Sequence, residues 1–351
     1  MNQYSGMAGM AGRNAPVCDL RSDTVTRPDE AMRRAMYEAE LGDDVFGDDP
    51  TVARLEAGLA GRMGKEAGLF LTSGTQSNLC AMLAHCGRGE EVITGRDYHT
   101  YAYEAAGASV LGGIALAPLA VEADGGLDPA AIAAEVKPDD SHKPVSRLLS
   151  LENTHNGKAV ALDRIAAAAN AGRAAGLAVH LDGARYFNAI AALGCGEADL
   201  AALADTVSLC MSKGLGTPAG SVLVGPRDLI ARARRWRKML GGGMRQSGVL
   251  AAAALHALEH NVAPLAGDHA RAERLAGALR DLGAGEVVTN TNMVFFTPAD
   301  GGHAALRAHL AEQGVLIGGA ARGPIRMVLH RDVDDDALAV ALDGFAGFYG
   351  G

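Results

Sequence analysis

Asp205-Thr-Val-Ser-Leu-Cys-Met-Ser-Lys213-Gly-Leu-Gly-Thr-Pro-Ala-Gly220 is an apolar, β-branched run that delivers one lysine into a turn rich in glycine and proline. A strand rich in Val, Leu and Cys reads as buried, and a lysine at its exit stands where charge is costly. Burial lowers the pKa of an amine and prepares it to form a Schiff base. A snorkelling side chain, with its stem on apolar surface and its ammonium in water, accounts for Lys213 equally well. The rest of the chain decides between the two.

Working outward, Ser221-Val-Leu-Val224 follows too closely for a crossover helix and reads as an antiparallel neighbour. Upstream, strands are expected at 177–181, ending in Asp182-Gly-Ala-Arg185, at 147–151, leading into Glu152-Asn-Thr-His155-Asn-Gly157, and at 91–94. Another is Ala67-Gly-Leu-Phe-Leu71, which runs through Thr72-Ser73-Gly74-Thr75 into a helix carrying Leu79, Met82 and Leu83. Helices fill the gaps. One opens at Asp29-Glu-Ala-Met32 and runs to residue 40, a second carries the stripe Val52, Leu55, Leu59 and Met63, a third opens at Tyr98–Glu104, and Asp163 is expected to cap a fourth reaching Ala175. This alternation defines an α/β chain with a mostly parallel sheet. A basic helix over 228–240 follows, then Gly241-Gly-Gly243 and Arg245. From about Pro264 a smaller α/β region is expected: a helix over 269–282, a strand over 287–296, a helix over 304–313, strands over 315–317 and 325–330, and a closing helix. The expected division is a loose extension over 1–17, a large domain over 18–262 and a small C-terminal domain over 263–351.

With 351 residues, 48% hydrophobic and 21% charged, the chain can bury a substantial core. Its Lys+Arg total of 32 against Asp+Glu of 41 gives a net charge of -9, which argues against nucleic acid as a partner. The basic run in 228–240 is then better explained as a solvated face or a subunit contact. The N-terminal stretch lacks the continuous apolar core of a secretory signal, and no later run suits a bilayer, so a cytoplasmic protein without a membrane partner is expected. The odd set Cys18, Cys80, Cys86, Cys195 and Cys210 has no CxxC pair, so neither a disulfide framework nor a metal is expected.

The polar residues gather where strands hand over to helices, which is where ligands bind in an open α/β sheet. Turn chemistry explains the Gly, Asn and Asp there but explains Arg185 and Lys213 poorly. A Schiff-base lysine, an aspartate at a neighbouring strand end, a helix N-terminus for phosphate and one or two arginines are the parts that hold pyridoxal 5′-phosphate. Lys213, Asp182 and Gly74 with Thr75 supply the first three. His99 suits the face of the ring, and a satisfied helix-terminal histidine describes it as well.

The runs Asp19-Leu-Arg-Ser-Asp-Thr-Val-Thr-Arg-Pro28, Ser73-Gly-Thr75, Leu148-Leu-Ser-Leu-Glu-Asn-Thr-His-Asn-Gly157, Asp182-Gly-Ala-Arg185, Met211-Ser-Lys-Gly-Leu-Gly-Thr-Pro218 and Trp236-Arg-Lys-Met-Leu-Gly-Gly-Gly-Met-Arg245 resemble the low-specificity L-threonine aldolases over nearly the whole chain. The resemblance implies a fold-type-I pyridoxal-phosphate enzyme with a mostly parallel seven-stranded sheet, flanking helices and a smaller C-terminal domain. The implied reaction is cleavage of L-threonine and L-allo-threonine, small amino-acid substrates, to glycine and acetaldehyde. It also implies a homotetramer, a dimer of dimers with active sites at the dimer interface. In that family pattern Lys213 matches the Schiff-base lysine, Asp182 the partner of the pyridine nitrogen, and Gly74 with Thr75 the phosphate turn. Ser22, Arg185 and Arg326 match carboxylate-binding residues, Arg245 an arginine reaching the phosphate from the neighbouring subunit, His99 the ring-face histidine, and His142 the one near the substrate β-hydroxyl. The candidate bases are His99 and His142, directly or through a water. Competing readings are a β-eliminating lyase or phenylserine-type aldolase on the same scaffold, and a non-catalytic cofactor-binding or scaffold protein.

Overall fold

The computed structural model describes residues 17–319 and 321–350, so the expected extension lies, apart from Val17, outside the described residues. In chain order the strands are β1 (Cys18–Asp19), β2 (Ala67–Leu71), β3 (Glu90–Gly95), β4 (Ala115–Leu119), β5 (Val145–Glu152), β6 (Ala178–Gly183), β7 (Thr206–Cys210), β8 (Ser221–Gly225), β9 (Gly285–Asn290), β10 (Met293–Pro298), β11 (Val315–Leu316) and β12 (Ile325–Val328). The chain forms two compact units. The larger contains residues 28–212 and 217–259, and the smaller contains 17–27, 213–216 and 260–350.

In the larger unit a seven-stranded sheet runs in the order β2-β8-β7-β6-β5-β3-β4. Strand β8 is antiparallel to both neighbours, and the other adjacent pairs are parallel. The short β7–β8 connection leaves no room for a crossover helix, which is why β8 reverses. Every residue of β7 and β8 is buried, as a continuous apolar run requires. The helix Gly74–His85 carries no single apolar stripe because it is packed on several sides. Cys80, Ala81 and Ala84 meet Leu69, Leu71 and Leu223, while Leu79, Met82 and Leu83 meet Val92, Ile114 and Leu148. Val52, Leu55 and Leu59, with Met63 at the C-cap, are buried as their spacing predicts, on a helix (Pro50–Arg62) that Asp49 caps by accepting from the Thr51 and Val52 amides.

The smaller unit has its own core, in which Cys18 and Leu20 join Leu275, Phe296, Leu338 and Phe345. Strand β1 pairs in parallel with β11, Cys18 opposite Val315, and residues 18–27, expected in the large domain, fall in this unit. The single strand expected over 287–296 is instead the hairpin β9–β10. Its turn is made at Thr291, in the left-handed region at φ 46°, and at Asn292, whose buried amide donates to the Leu329 carbonyl at 2.9 Å.

Three further differences are local. The helix expected from Tyr98 is only His99–Ala102, because Ala105 and Ala106 take positive φ before Gly107–Gly112 resumes it. Asp163 does not cap its helix: the N-cap position falls on Ala161, which offers no side-chain hydrogen bond, and Asp163 stands in the first turn, where a carboxylate suits the helix dipole. The basic helix (Arg227–Met239) is not all solvated, since Arg237 is buried against Asp44 at 2.7 Å and donates to the Phe70 carbonyl at 2.8 Å.

Candidate active site

Sheet register aligns the functional groups of the larger unit. Glu152 on β5 lies opposite Asp182 on β6, and Asp182 opposite Ser208 on β7. Asp182 is 2% exposed, and its two oxygens are engaged separately. The Ala184 amide donates to Oδ1 at 2.9 Å, and Asn78 Nδ2 donates to Oδ2 at 2.8 Å. The same Asn78 nitrogen donates to Glu104 Oε1 at 2.8 Å, and His99 Nδ1 lies 2.9 Å from that oxygen. Ligand atoms of His99, Glu104 and Asp182 thus fall within 4.8 Å of one another. Asn78 already meets both carboxyl groups with its two N–H donors.

A second carboxyl steadies His99 from its backbone, as Glu152 Oε2 accepts from the His99 amide at 2.6 Å while its Oε1 lies 2.7 Å from His155 Nδ1. Burial pushes the Glu104 and Glu152 carboxyls above the ordinary range. The His99 ring also lies 5.8 Å from that of Tyr103, tilted by 38°.

Gly74 and Thr75 open the helix Gly74–His85, with Ser73 as its N-cap accepting from the Gln76 amide. The helix N-terminus points unpaired N–H groups and a positive dipole end at this turn. Gln76 accepts from both the amide and the hydroxyl of Thr72. Gly242 belongs to the triple-glycine run for a physical reason: a Cβ there would stand 2.4 Å from Gln76 Nε2. Arg245, just beyond, is 59% exposed and pairs with Asp43 at 3.0 Å. Arg185 precedes the helix Tyr186–Leu193. His142 does not join the cluster of His99, Glu104 and Asp182. It stands on an exposed turn, 88% accessible, with Nδ1 2.8 Å from Asp140.

The smaller unit holds Ser22, Lys213 and Arg326. Ser22 caps a single 3-10 turn (Asp23–Val25) and accepts from Thr24. Thr26 Oγ1 donates 2.9 Å to the Lys213 carbonyl, which the Gly216 amide also reaches at 2.8 Å. Gly216 has φ 79°, and a Cβ there would strike the Arg331 side chain at 2.8 Å, so glycine is required to turn the chain after the lysine. Arg326 lies on β12 opposite Phe295.

Sequence reasoning missed Asn78, Glu104, His180, Thr206 and Ser221, all of them polar and buried. Burial holds the His180 imidazole down at about 3 and that of His85 at about 4. Both rings stay neutral when folded, whereas the unfolded chain takes up their protons near pH 6.5. Their contribution to stability is complete above about pH 6.5 and is lost as pH falls toward 4, at up to about 1.4 kcal/mol per pH unit for each ring. The raised Glu104 and Glu152 carboxyls act with the opposite sign, so the difference between variant and wild type is the useful readout. His85→Gln is expected to flatten the acid loss of stability by about one proton's slope, about 1.4 kcal/mol per unit, in denaturant unfolding between pH 6.5 and 4.5. An unchanged slope would contradict this.

The chain belongs to the beta-eliminating lyase family, whose model matches residues 19–300. Within it the chain groups with the low-specificity L-threonine aldolases. A "Low specificity L-threonine aldolase" of Escherichia coli (strain K12) is 51% identical over 321 residues, covering 92% of this chain and 96% of that protein. "Low-specificity L-threonine aldolase 1" of Arabidopsis thaliana is 43% identical over 339 residues, covering 93% and 95%. Among solved structures, a Leishmania major threonine aldolase superposes with a TM-score of 0.78 at 20% identity, covering 93% of this chain and 99% of that one. A Sphingomonas wittichii serine palmitoyltransferase does so at 0.72 and 20%, covering 95% and 88%. These structural likenesses establish the fold, an α/β fold of the fold-type-I class.

Proposed function

We propose that the protein uses pyridoxal 5′-phosphate to cleave L-threonine, L-allo-threonine and other L-β-hydroxy-α-amino acids to glycine and an aldehyde. The observation that carries the reading is Asp182, a buried carboxylate at a strand end whose unit also supplies an N-capped helix start for a phosphate. The residues present suit that group. Among the described residues Ser221 Oγ is buried without a hydrogen-bond partner, 3.7 Å from where a Gly74 Cβ would stand, so a hydroxyl is left over beside the helix end.

Lys213 would hold the cofactor covalently, and Asp182 would pair with its ring nitrogen. Gly74 and Thr75, with Arg245 from a neighbouring subunit, would hold the phosphate, and His99 would cover the ring. Ser22, Arg185 and Arg326 would grip the substrate carboxylate. Once bound, the cofactor supplies an electron sink for the pair released when Cα–Cβ breaks. The base must take the β-hydroxyl proton. His99 suits this task because Nδ1–H directed at Glu104 leaves Nε2 as the acceptor nitrogen of the neutral ring. His142 is the second candidate, carried by the resemblance alone. A homo-oligomer, a dimer of dimers, is carried by the resemblance, with Arg245 exposed enough to reach a neighbouring subunit, and the free cysteines support a cytoplasmic setting. Among the described residues no helix is long and apolar enough to cross a membrane.

Incubation with L-threonine, L-allo-threonine and their D-isomers tests the reading. Glycine and acetaldehyde from the L-isomers are expected in equal amounts. A 2-oxo acid with ammonia as the main products would favour the β-eliminating alternative, and activity on D-isomers alone would refute the assignment.

A further inference from the structure

Beside Asp182 stands a series of buried polar groups to which the roles above assign nothing. Asn78 Nδ2 lies 2.8 Å from both Asp182 Oδ2 and Glu104 Oε1. A nitrogen donor belongs against the Asp182 carboxylate, so the Asn78 carbonyl is the end turned to His180 Nε2, 3.2 Å away. A carbonyl only accepts, and His180 therefore carries its hydrogen on Nε2. In the neutral ring Nδ1 is then bare and accepts the hydroxyl hydrogen of Thr206 at 2.9 Å. Having given that hydrogen, Thr206 Oγ1 accepts from His85 Nε2 at 2.9 Å. Each link fixes the next, so the amide orientation and both tautomers form one directed chain.

We propose that this chain makes Asn78 a positioning residue: with its carbonyl tied to His180, it gives one amide hydrogen to Asp182 and the other to Glu104. It thereby holds the acid that serves the cofactor's ring nitrogen and the acid that orients His99 in one fixed geometry. The inference rests on the roles proposed above for Asp182 and His99. Thr206 is the informative link. It pairs with His180 in the β6–β7 register, and its hydroxyl hydrogen is the donor that the bare Nδ1 accepts once the Asn78 carbonyl has fixed the hydrogen on Nε2.

The test compares Thr206→Val, which keeps shape and loses the hydroxyl, with Thr206→Ser, which keeps the hydroxyl. Titration of cofactor-free protein with pyridoxal 5′-phosphate is expected to give about tenfold weaker binding for the valine variant, as for one lost buried hydrogen bond, and binding within about twofold of wild type for serine. Nitrogen NMR of histidine-labelled, cofactor-free wild type is expected to show His180 neutral with its hydrogen on Nε2. Equal behaviour of the two variants, or a hydrogen on Nδ1 of His180 alongside normal cofactor uptake, overturns this inference alone. A wild type that takes up no cofactor overturns the functional reading and this role with it.

Discussion

Lys213→Ala is expected to turn a yellow protein colourless and to lower L-threonine cleavage by at least about 10³-fold while the protein stays folded. The fold survives because the lysine contributes its backbone to structure: Thr26 and Gly216 both donate to its carbonyl, and alanine keeps that carbonyl. What is lost is the amine that would anchor the cofactor. Visible absorbance after dialysis, circular dichroism and acetaldehyde release measure the outcome together. A variant that keeps its colour and turns over within tenfold of wild type would remove Lys213 from the chemistry.

Asp182→Asn should be the next most damaging change, lowering kcat by about 10²-fold with a smaller effect on KM. Replacing the carboxylate by a neutral amide removes a charge-assisted hydrogen bond, a loss of about 1.5–3 kcal/mol. It also forces a mismatch, since Asp182 accepts from Ala184 at one oxygen and from Asn78 at the other. An amide has only one acceptor end, and its NH₂ would face a donor, so some thermal stability should be lost as well. Steady-state kinetics and a melting curve separate the two effects. An unchanged kcat would rule out Asp182 as the partner of the ring nitrogen.

Much of this could be read in the sequence because local rules decide it. The strands 67–71, 147–151 and 221–224 are apolar runs bounded by turn residues, and the short spacing between Lys213 and Ser221 forces the reversed strand. The turn Ser73-Gly-Thr75 carries its own cap and glycine. By contrast, β4 and the Ala-rich helix Gly248–His260 were not anticipated, since small apolar residues have no periodicity to distinguish strand from helix. His142 illustrates a different limit, for a motif position carries no information about exposure, and its side chain proves open to solvent.

The order of elements, the lysine in its glycine turn and the motif set that marks the family are legible along the chain, because each depends on neighbouring residues. Long-range packing settles that Cys18 and Asp19 pair with β11 and that Asn78, Glu104, His180 and Thr206 join Asp182 in one network. Asn78 and Asp182 are 104 residues apart. Such partners meet only through strand register and helix packing, and a buried histidine in an apolar strand gives no sign along the sequence of which hydrogen bonds will satisfy it.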